Sequence, residues 1–306
     1  MIGSAMRHVA LMVIALFQLS PLLIMFFNSF RTDKAIKKMP IALPESFHFE
    51  NYVTTWNSGE YGQAFKSSFL IAFFVVIIVL ACGGLAAYAL AKLPIKGRSF
   101  FLGYFTLGMS IPGFLFIVPN YYVHSMLGII NTHISMIVIY SALFMSFNLL
   151  LLRSYLIGVP KELEEAGKID GCNEINVLIH ITMPIAAPIF LTVVLLVFVQ
   201  CWNEFFWANV FLQGANRTVS TKFYDFVGKF SSDLAKVYTA GSISMAPIVI
   251  LYAFLQKNFI EGDERLEAET NPFPSLVCKN RPLLRTACHL AWMNECSRSV
   301  SNRMAT

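Results

Sequence analysis

The sequence has little charge for its length. Of its 306 residues only 13% are Asp, Glu, Lys or Arg, whereas 56% are hydrophobic, and the mean hydropathy is +0.61. Soluble domains carry about 25% charged residues, so this composition excludes an ordinary soluble globular protein. The net charge of +5 is modest and its basic residues are scattered between apolar stretches, which excludes a nucleic-acid-binding surface.

Motifs for nucleotide, acyl-transfer and metal chemistry are missing as well. The sequence contains no G-x-x-x-x-G-K-[ST] phosphate loop, no G-x-S-x-G nucleophile elbow and no H-E-x-x-H pair. Its six cysteines show no C-x-x-C spacing and no histidine at metal-ligand distance. We therefore predict no catalytic residues, no metal site, no cofactor and no disulfide framework. Any ATP hydrolysis is expected in a separate partner subunit.

Long runs without charge are the main positive feature. Five runs lack Asp, Glu, Lys and Arg: residues 8–30, 67–91, 99–152, 175–203 and 237–256. A helix needs about 20 apolar residues to cross the bilayer core. Four runs fit one span each, and the long third run fits two spans with a turn between them. The sequence predicts an all-α, polytopic integral membrane protein with six transmembrane helices.

The segments between the runs complete this layout. The first span is predicted to be an uncleaved helix, because no A-x-A-like cleavage site follows it. Residues 31–66 are predicted to form an external loop with little room for a core of its own. Pro112, Gly113 and Pro119 interrupt the third span and predict a kink there.

After Gly262 the apolar pattern stops, which predicts a domain at residues 1–262 and a divergent, disordered tail at residues 263–306. The distribution of Lys and Arg leaves the orientation open. An even number of spans places both termini on the same side of the membrane.

The loop between spans four and five, residues 160–184, is the most informative segment. Pro160 suits a first helical turn, and Gly171 can adopt the left-handed conformation that ends a helix. Leu163, Ala166 and Gly167 would share one face of that helix. Because Ala166 and Gly167 lack bulk, this face could fit into a partner's groove; by pattern alone, a solvated connecting helix is the alternative.

This loop resembles the signature loop of the permease subunits of binding-protein-dependent ABC importers. The signature reads E-A-A, three residues, G, nine residues, I-x-L-P. The residues in register are Glu165, Ala166, Gly167, Asp170, Gly171, Ile181, Met183 and Pro184, with Gly167 in place of Ala and Met183 in place of Leu. Further segments resemble maltose-type carbohydrate permeases: Ala86–Lys92, Leu127–Thr132, Trp202–Phe205 and Gln256–Gly262. The resemblance covers residues 9–262.

The resemblance implies the function of a permease subunit of an ATP-driven sugar importer, located in the bacterial cytoplasmic membrane with both termini cytoplasmic. It implies four kinds of partner: a second permease subunit, two ATP-binding cassette ATPase subunits, an extracytoplasmic sugar-binding protein and membrane lipid. The signature loop would be the coupling helix that docks on the ATPase. The coupling residues would be Glu165, Ala166, Gly167, Asp170, Gly171, Ile181 and Pro184.

Polar residues near spans five and six are candidates for the translocation pathway or for contact with the binding protein. They are Gln200, Asn203 and Glu204 at the end of span five, and Asn216, Arg217 and Thr218 as polar tips of the following external loop. Interface anchoring or helix packing at Glu204, and a merely solvated loop after it, are the structural alternatives. The motifs suit an oligosaccharide, a monosaccharide or a glycerol phosphate equally well.

An integral membrane receptor or enzyme is the alternative function. Either would need paired ionisable residues within the spans, because charges there are costly and normally functional. The charge-free runs argue against it.

Overall fold

The computed structural model describes residues 2–270, with side-chain surroundings described for residues 6–254. The described chain is helical and contains no strand, so the predicted all-α class is confirmed. The helices are α1 (Ile2–Asn28), α2 (Asp33–Lys38), α3 (Glu50–Ser58), α4 (Tyr61–Lys92), α5 (Arg98–Ser110), α6 (Ile117–Met126), α7 (His133–Gly158), α8 (Lys161–Ile169), α9 (Glu174–Ile185), α10 (Ala187–Asn203), α11 (Phe206–Phe211), α12 (Val219–Lys229) and α13 (Leu234–Thr270).

Four of these helices are individually long and apolar enough to cross a membrane: α1, α4, α7 and α13. Two further pairs meet the same test only together, because each is bent at a short break. The described chain therefore has four continuous membrane helices, or up to six spans if each bent pair is one span. Large apolar side chains on α1 face outward, Phe17 being 79% exposed, as expected of a surface that contacts lipid or another membrane protein.

The predicted interruption of the third span is present at Pro112. Helix α5 ends at Ser110, Ile111 is extended (φ −88°, ψ 123°), and a 3-10 turn at Gly113–Phe116 leads into α6. A residue before proline is pushed out of the helical region by the proline ring.

The fifth span, predicted from the charge-free run of residues 175–203, is interrupted near its start. Pro184 belongs to a separate helix, α9, and α10 begins at Ala187 after a bend of 80°. Ala186 has φ −86° and ψ 8°, which breaks the helical path. Helix α9 contains a π-helical turn at Leu178–Thr182.

Two compact units of packed helices make up the chain. The first comprises residues 1–72, 116–137 and 201–250; the second comprises residues 73–115 and 138–200 together with the described chain from Leu251 onward.

In the first unit, the segment between α1 and α4 has a packed interior, contrary to the prediction that it lacks room for one. Arg31 is only 6% exposed. Its guanidinium donates to Asn28 Oδ1 at 2.8 Å and to the backbone carbonyls of Met39 and Ala35 at 2.8 and 3.0 Å. Phe30 lies 5.1 Å from the Tyr52 ring, centroid to centroid. These contacts connect α2 and α3 to the end of α1.

The C-terminal boundary at Gly262 does not coincide with a helix end. Helix α13 continues past it to Thr270. The rest of the predicted tail, residues 271–306, lies outside the described residues.

Candidate functional site

The loop between α7 and α10 begins with helix α8, as its sequence predicts. Pro160 precedes the first turn with φ −58° and ψ 132°. The helix closes where the Cys172 amide donates to the Gly167 carbonyl at 3.0 Å. Gly171 has φ +87°, a conformation that glycine adopts without the steric cost of a Cβ. The proline before the helix and the glycine after it therefore predict the bounds of α8 correctly.

Gly167 faces the chain itself. It is buried, and a Cβ added there would overlap Ile181 Cδ1 and lie 3.6 Å from Val177 Cγ2. The interpretation that Gly167 is small in order to fit a partner's groove is therefore wrong. Its lack of a side chain lets α8 pack closely on α9.

Ile181 and Pro184 lie in the second half of the loop. Ile181, which fills the space over Gly167, is half-buried, whereas Pro184 is exposed. The structure thus brings Gly167 and Ile181 together and leaves Pro184 apart from them. The sequence gives no sign that α9 is separate from α10, because the apolar residues of α9 run on into α10 without an intervening charged segment.

The opposite face of α8 is exposed. Glu165 and Ile169 lie on this face and are exposed, Ile169 at 87%. Outside this face, Ala166, Asp170 and Leu163 are exposed as well, Leu163 at 44%. Residues four apart in a helix share a face, so Glu165 and Ile169 are neighbours there. This exposed face of α8 is therefore apolar at Ile169 and acidic beside it at Glu165.

Sequence reasoning missed the buried charges beneath α8. Glu164 Oε1 lies 3.2 Å from Lys92 Nζ at the end of α4, and the two side chains are 7% and 2% exposed. The Lys92 ammonium also donates to the Val159 carbonyl at 2.5 Å, and the Thr182 hydroxyl donates to Glu164 Oε1 at 3.3 Å. The only sequence signal was the three-residue spacing of Glu164 and Gly167, which places both on one face.

Gln200, near the end of α10, has a partner in the second unit. Its Oε1 accepts a hydrogen bond of 3.3 Å from Asn148 Nδ2, and Asn148 is fully buried. Asn203, also a predicted pathway residue, is exposed.

Glu204 lies at the beginning of α11. Its Oε1 accepts from the Trp207 amide at 3.0 Å and its Oε2 from the Ala208 amide at 3.2 Å. A carboxylate in this position satisfies amides that the helix itself leaves without acceptors. The geometry supports helix packing, one of the structural alternatives for Glu204, because its carboxylate caps the start of α11.

The predicted polar tips after α11 differ in their surroundings. Asn216 Nδ2 donates to the Asn131 carbonyl at 2.7 Å, and Arg217 pairs with Asp225. Thr218 is only 1% exposed, so the expectation that it forms an accessible tip is wrong. Its hydroxyl forms hydrogen bonds with the hydroxyls of Ser220 and Thr221, at 3.0 and 3.3 Å.

Another ion pair in the first unit is more open to solvent. The Lys222 ammonium lies 2.5 Å from Glu60 Oε2 and holds the pKa of the Glu60 carboxyl below its usual value.

Among the residues whose side chains are described, no group of three or more His, Cys, Asp or Glu could hold a metal ion.

Comparison with protein families gives a match over more than half of the chain. A family model described as "Binding-protein-dependent transport system inner membrane component" matches residues 80–261, which include α8 and α9.

Curated relatives match a still longer part of the chain. The chain is 34% identical over 243 residues to the probable ABC transporter permease protein YurM of Bacillus subtilis (strain 168), covering 79% of this chain and 81% of that protein. It is 31% identical over 221 residues to the melibiose/raffinose/stachyose import permease protein MelC of the same organism, covering 72% of this chain and 80% of that protein.

Two solved structures share the fold. A bacterial ABC transporter involved in the import of the acidic polysaccharide alginate matches with a TM-score of 0.70 and 24% identity, over 84% of this chain and 96% of that chain. A bacterial alginate ABC transporter in complex with an alginate pentasaccharide-bound periplasmic protein matches with a TM-score of 0.60 and 14% identity, over 83% of this chain and 92% of that chain.

Proposed function

Because the chain belongs to the binding-protein-dependent transport system inner membrane component family, we propose that it forms half of the translocation pathway of an ATP-driven sugar importer. Membership makes it a permease component of an ABC transporter that crosses the inner membrane several times. The relative MelC is named as an import permease for melibiose, raffinose and stachyose, which supports a sugar or sugar-like solute. Nothing in the family assignment favours a receptor or an enzyme.

Four partners follow from this proposal. They are a second permease subunit, two ATPase subunits that hydrolyse ATP on the cytoplasmic side, and an extracytoplasmic binding protein that delivers the solute. The structural neighbour bound to a periplasmic protein supports the last of these. In this arrangement both termini and α8 are cytoplasmic, residues 1–262 form the membrane domain, and residues 263–306, whose first part continues α13 to Thr270, form the tail.

Helix α8 is the proposed contact with the ATPase. The observation that carries this is the exposure of Ile169, 87% in the isolated chain, on the face opposite Gly167. Covering an isoleucine contributes about 1.5–3 kcal/mol, so a partner that buries it gains affinity. Glu165, Ala166 and Asp170 would surround this contact, whereas Gly167, Gly171 and Ile181 would give the surface its shape.

Replacing Ile169 by Asp tests this contact. The tagged chain is purified in mild detergent from the membranes of its own cells, and the ATPase activity that co-purifies is measured. Ile169→Asp should lose at least tenfold of that activity, because the change removes apolar contact and would bury an uncompensated charge. Ile41, which is 76% exposed between α2 and α3, provides the matched control as Ile41→Asp. Equal co-purification of the two variants would show that α8 does not bind the ATPase.

On the other side of the membrane, the binding protein is proposed to contact the segment between α11 and α12. Thr218 is excluded from this contact by its burial, which leaves residues 214–217. Replacing them with a Gly-Ser linker should reduce sugar uptake while ATP hydrolysis continues. Unchanged uptake in membrane vesicles supplied with the binding protein would contradict this role.

A further inference from the structure

We propose that the buried pair Lys92–Glu164, together with Thr182, locks the coupling helix α8 to the ends of α4 and α9 so that the three move as one body. The inference rests on the proposed function of α8. It assigns Lys92, Glu164 and Thr182 as positioning residues, which transmit the movement of the ATPase without touching it.

Three contacts converge on one point beneath α8. Glu164 forms an ion pair with Lys92, which connects α8 to α4, and accepts a hydrogen bond from Thr182, which connects α8 to α9. Lys92 also donates to the Val159 carbonyl, just before α8. The lysine therefore holds both the entry to the helix and its first turn.

Burial gives the pair its stiffness. The side chains of Lys92 and Glu164 are 2% and 7% exposed, so neither charge can be released to water unless the interface opens. Removing one partner leaves an uncompensated buried charge, whereas removing both leaves none. The contacts of the cluster therefore form together or break together, and a cluster of this kind makes a rigid connection between the helices.

A second ion pair in the same loop provides a matched control. Lys168 in α8 lies 2.6 Å from Glu174 at the start of α9, but their side chains are 43% and 48% exposed. Exposed pairs of this kind contribute little, because water and side-chain entropy offset the attraction. The two pairs join neighbouring elements and differ mainly in burial.

Amide hydrogen exchange of the full chain in detergent measures the lock without any ATPase. Lys92→Met and Glu164→Gln should each raise the exchange rate of the α8 amides at least tenfold, whereas Lys168→Met should change it less than twofold. The double variant Lys92→Met/Glu164→Leu should exchange more slowly than either single variant. Single variants that exchange within twofold of the wild type would overturn the proposal.

Transport stoichiometry separates positioning from folding. The assembled transporter is reconstituted in vesicles with its ATPase and binding protein, and sugar imported per ATP hydrolysed is measured. Glu164→Gln should lower this ratio at least fivefold, because the ATPase turns over while α8 slips. A fall in both rates at an unchanged ratio would show that the pair only supports folding. Failure of the proposed function is distinct, since it would appear as equal ATPase retention by Ile169→Asp and Ile41→Asp.

Discussion

Replacing Gly167 by valine tests whether α8 depends on its close approach to α9. The new Cβ would overlap Ile181 Cδ1, and overpacking of this kind costs about 1–3 kcal/mol. Valine has a somewhat better helix propensity than glycine, so any loss of stability would come from packing. At 1.4 kcal/mol per tenfold, the α8 amides should exchange about 5- to 140-fold faster.

A compensating change at Ile181 makes this prediction specific. Ile181→Ala removes as many carbons as valine adds, so Gly167→Val/Ile181→Ala conserves volume, and such exchanges are tolerated best. Because the residues touch, the stability cost of the double variant should differ from the sum of the two single costs by about 0.5–3 kcal/mol. Exchange rates measured by mass spectrometry on α8 and α9 peptides give this difference.

The control for this cycle is Gly158, the last residue of α7. A Cβ added there meets no atom within 4 Å, so Gly158→Val should leave the exchange of α8 close to that of the wild type. If the effects of Gly167→Val and Ile181→Ala add within about 0.3 kcal/mol, the two residues are not packed together as described. The account of why α8 needs glycine would then be refuted.

Three further predictions concern topology, pH and helix termination. In a cysteine-free background, a cysteine at Glu45 should react with an impermeant maleimide added to sealed cells and one at Lys168 should not; the reverse would overturn the orientation. The low pKa of Glu60 means that its ion pair with Lys222 stabilises the fold above the usual glutamate pKa of about 4.3 and is lost as the pH falls through the lower folded pKa. The melting temperature of the wild type should therefore exceed that of Glu60→Gln at pH 7, and a gap that persists unchanged at pH 3 would contradict this. Gly171→Val should speed exchange at the end of α8, because a β-branched residue strains at φ +87°; exchange equal to that of the wild type would show that the positive φ is not required.

Local signals were sufficient to predict α8. A proline before the first turn and a glycine after the last act through the backbone of a few neighbouring residues. The break at Pro112 could be predicted for the same reason, since proline restricts the residue directly before it. These features do not depend on what the rest of the chain does.

Features that depend on distant partners could not be predicted in the same way. The burial of Glu164 follows from Lys92, which lies in another helix, and a glutamate near a helix N-terminus is otherwise typical of a solvated first turn. The inward orientation of Gly167 required α9, whose sequence is continuous with the apolar run of α10. Thr218 has the sequence of an exposed loop but the surroundings of a buried hydroxyl.

The way α8 is connected to the neighbouring helices of the second unit determines which of them can move with it. The covalent link from α7 to α8 is the two residues Val159 and Pro160, and a single strand of backbone transmits a pull better than it transmits a rotation. A rotation of α8 can reach other helices only through side-chain contacts at separate points along α8. Glu164 holds the first turn against α4, and Gly167 holds the next turn against α9. With α8 fixed at two points, a tilt imposed by the proposed ATPase contact would turn the ends of α4 and α9 with it.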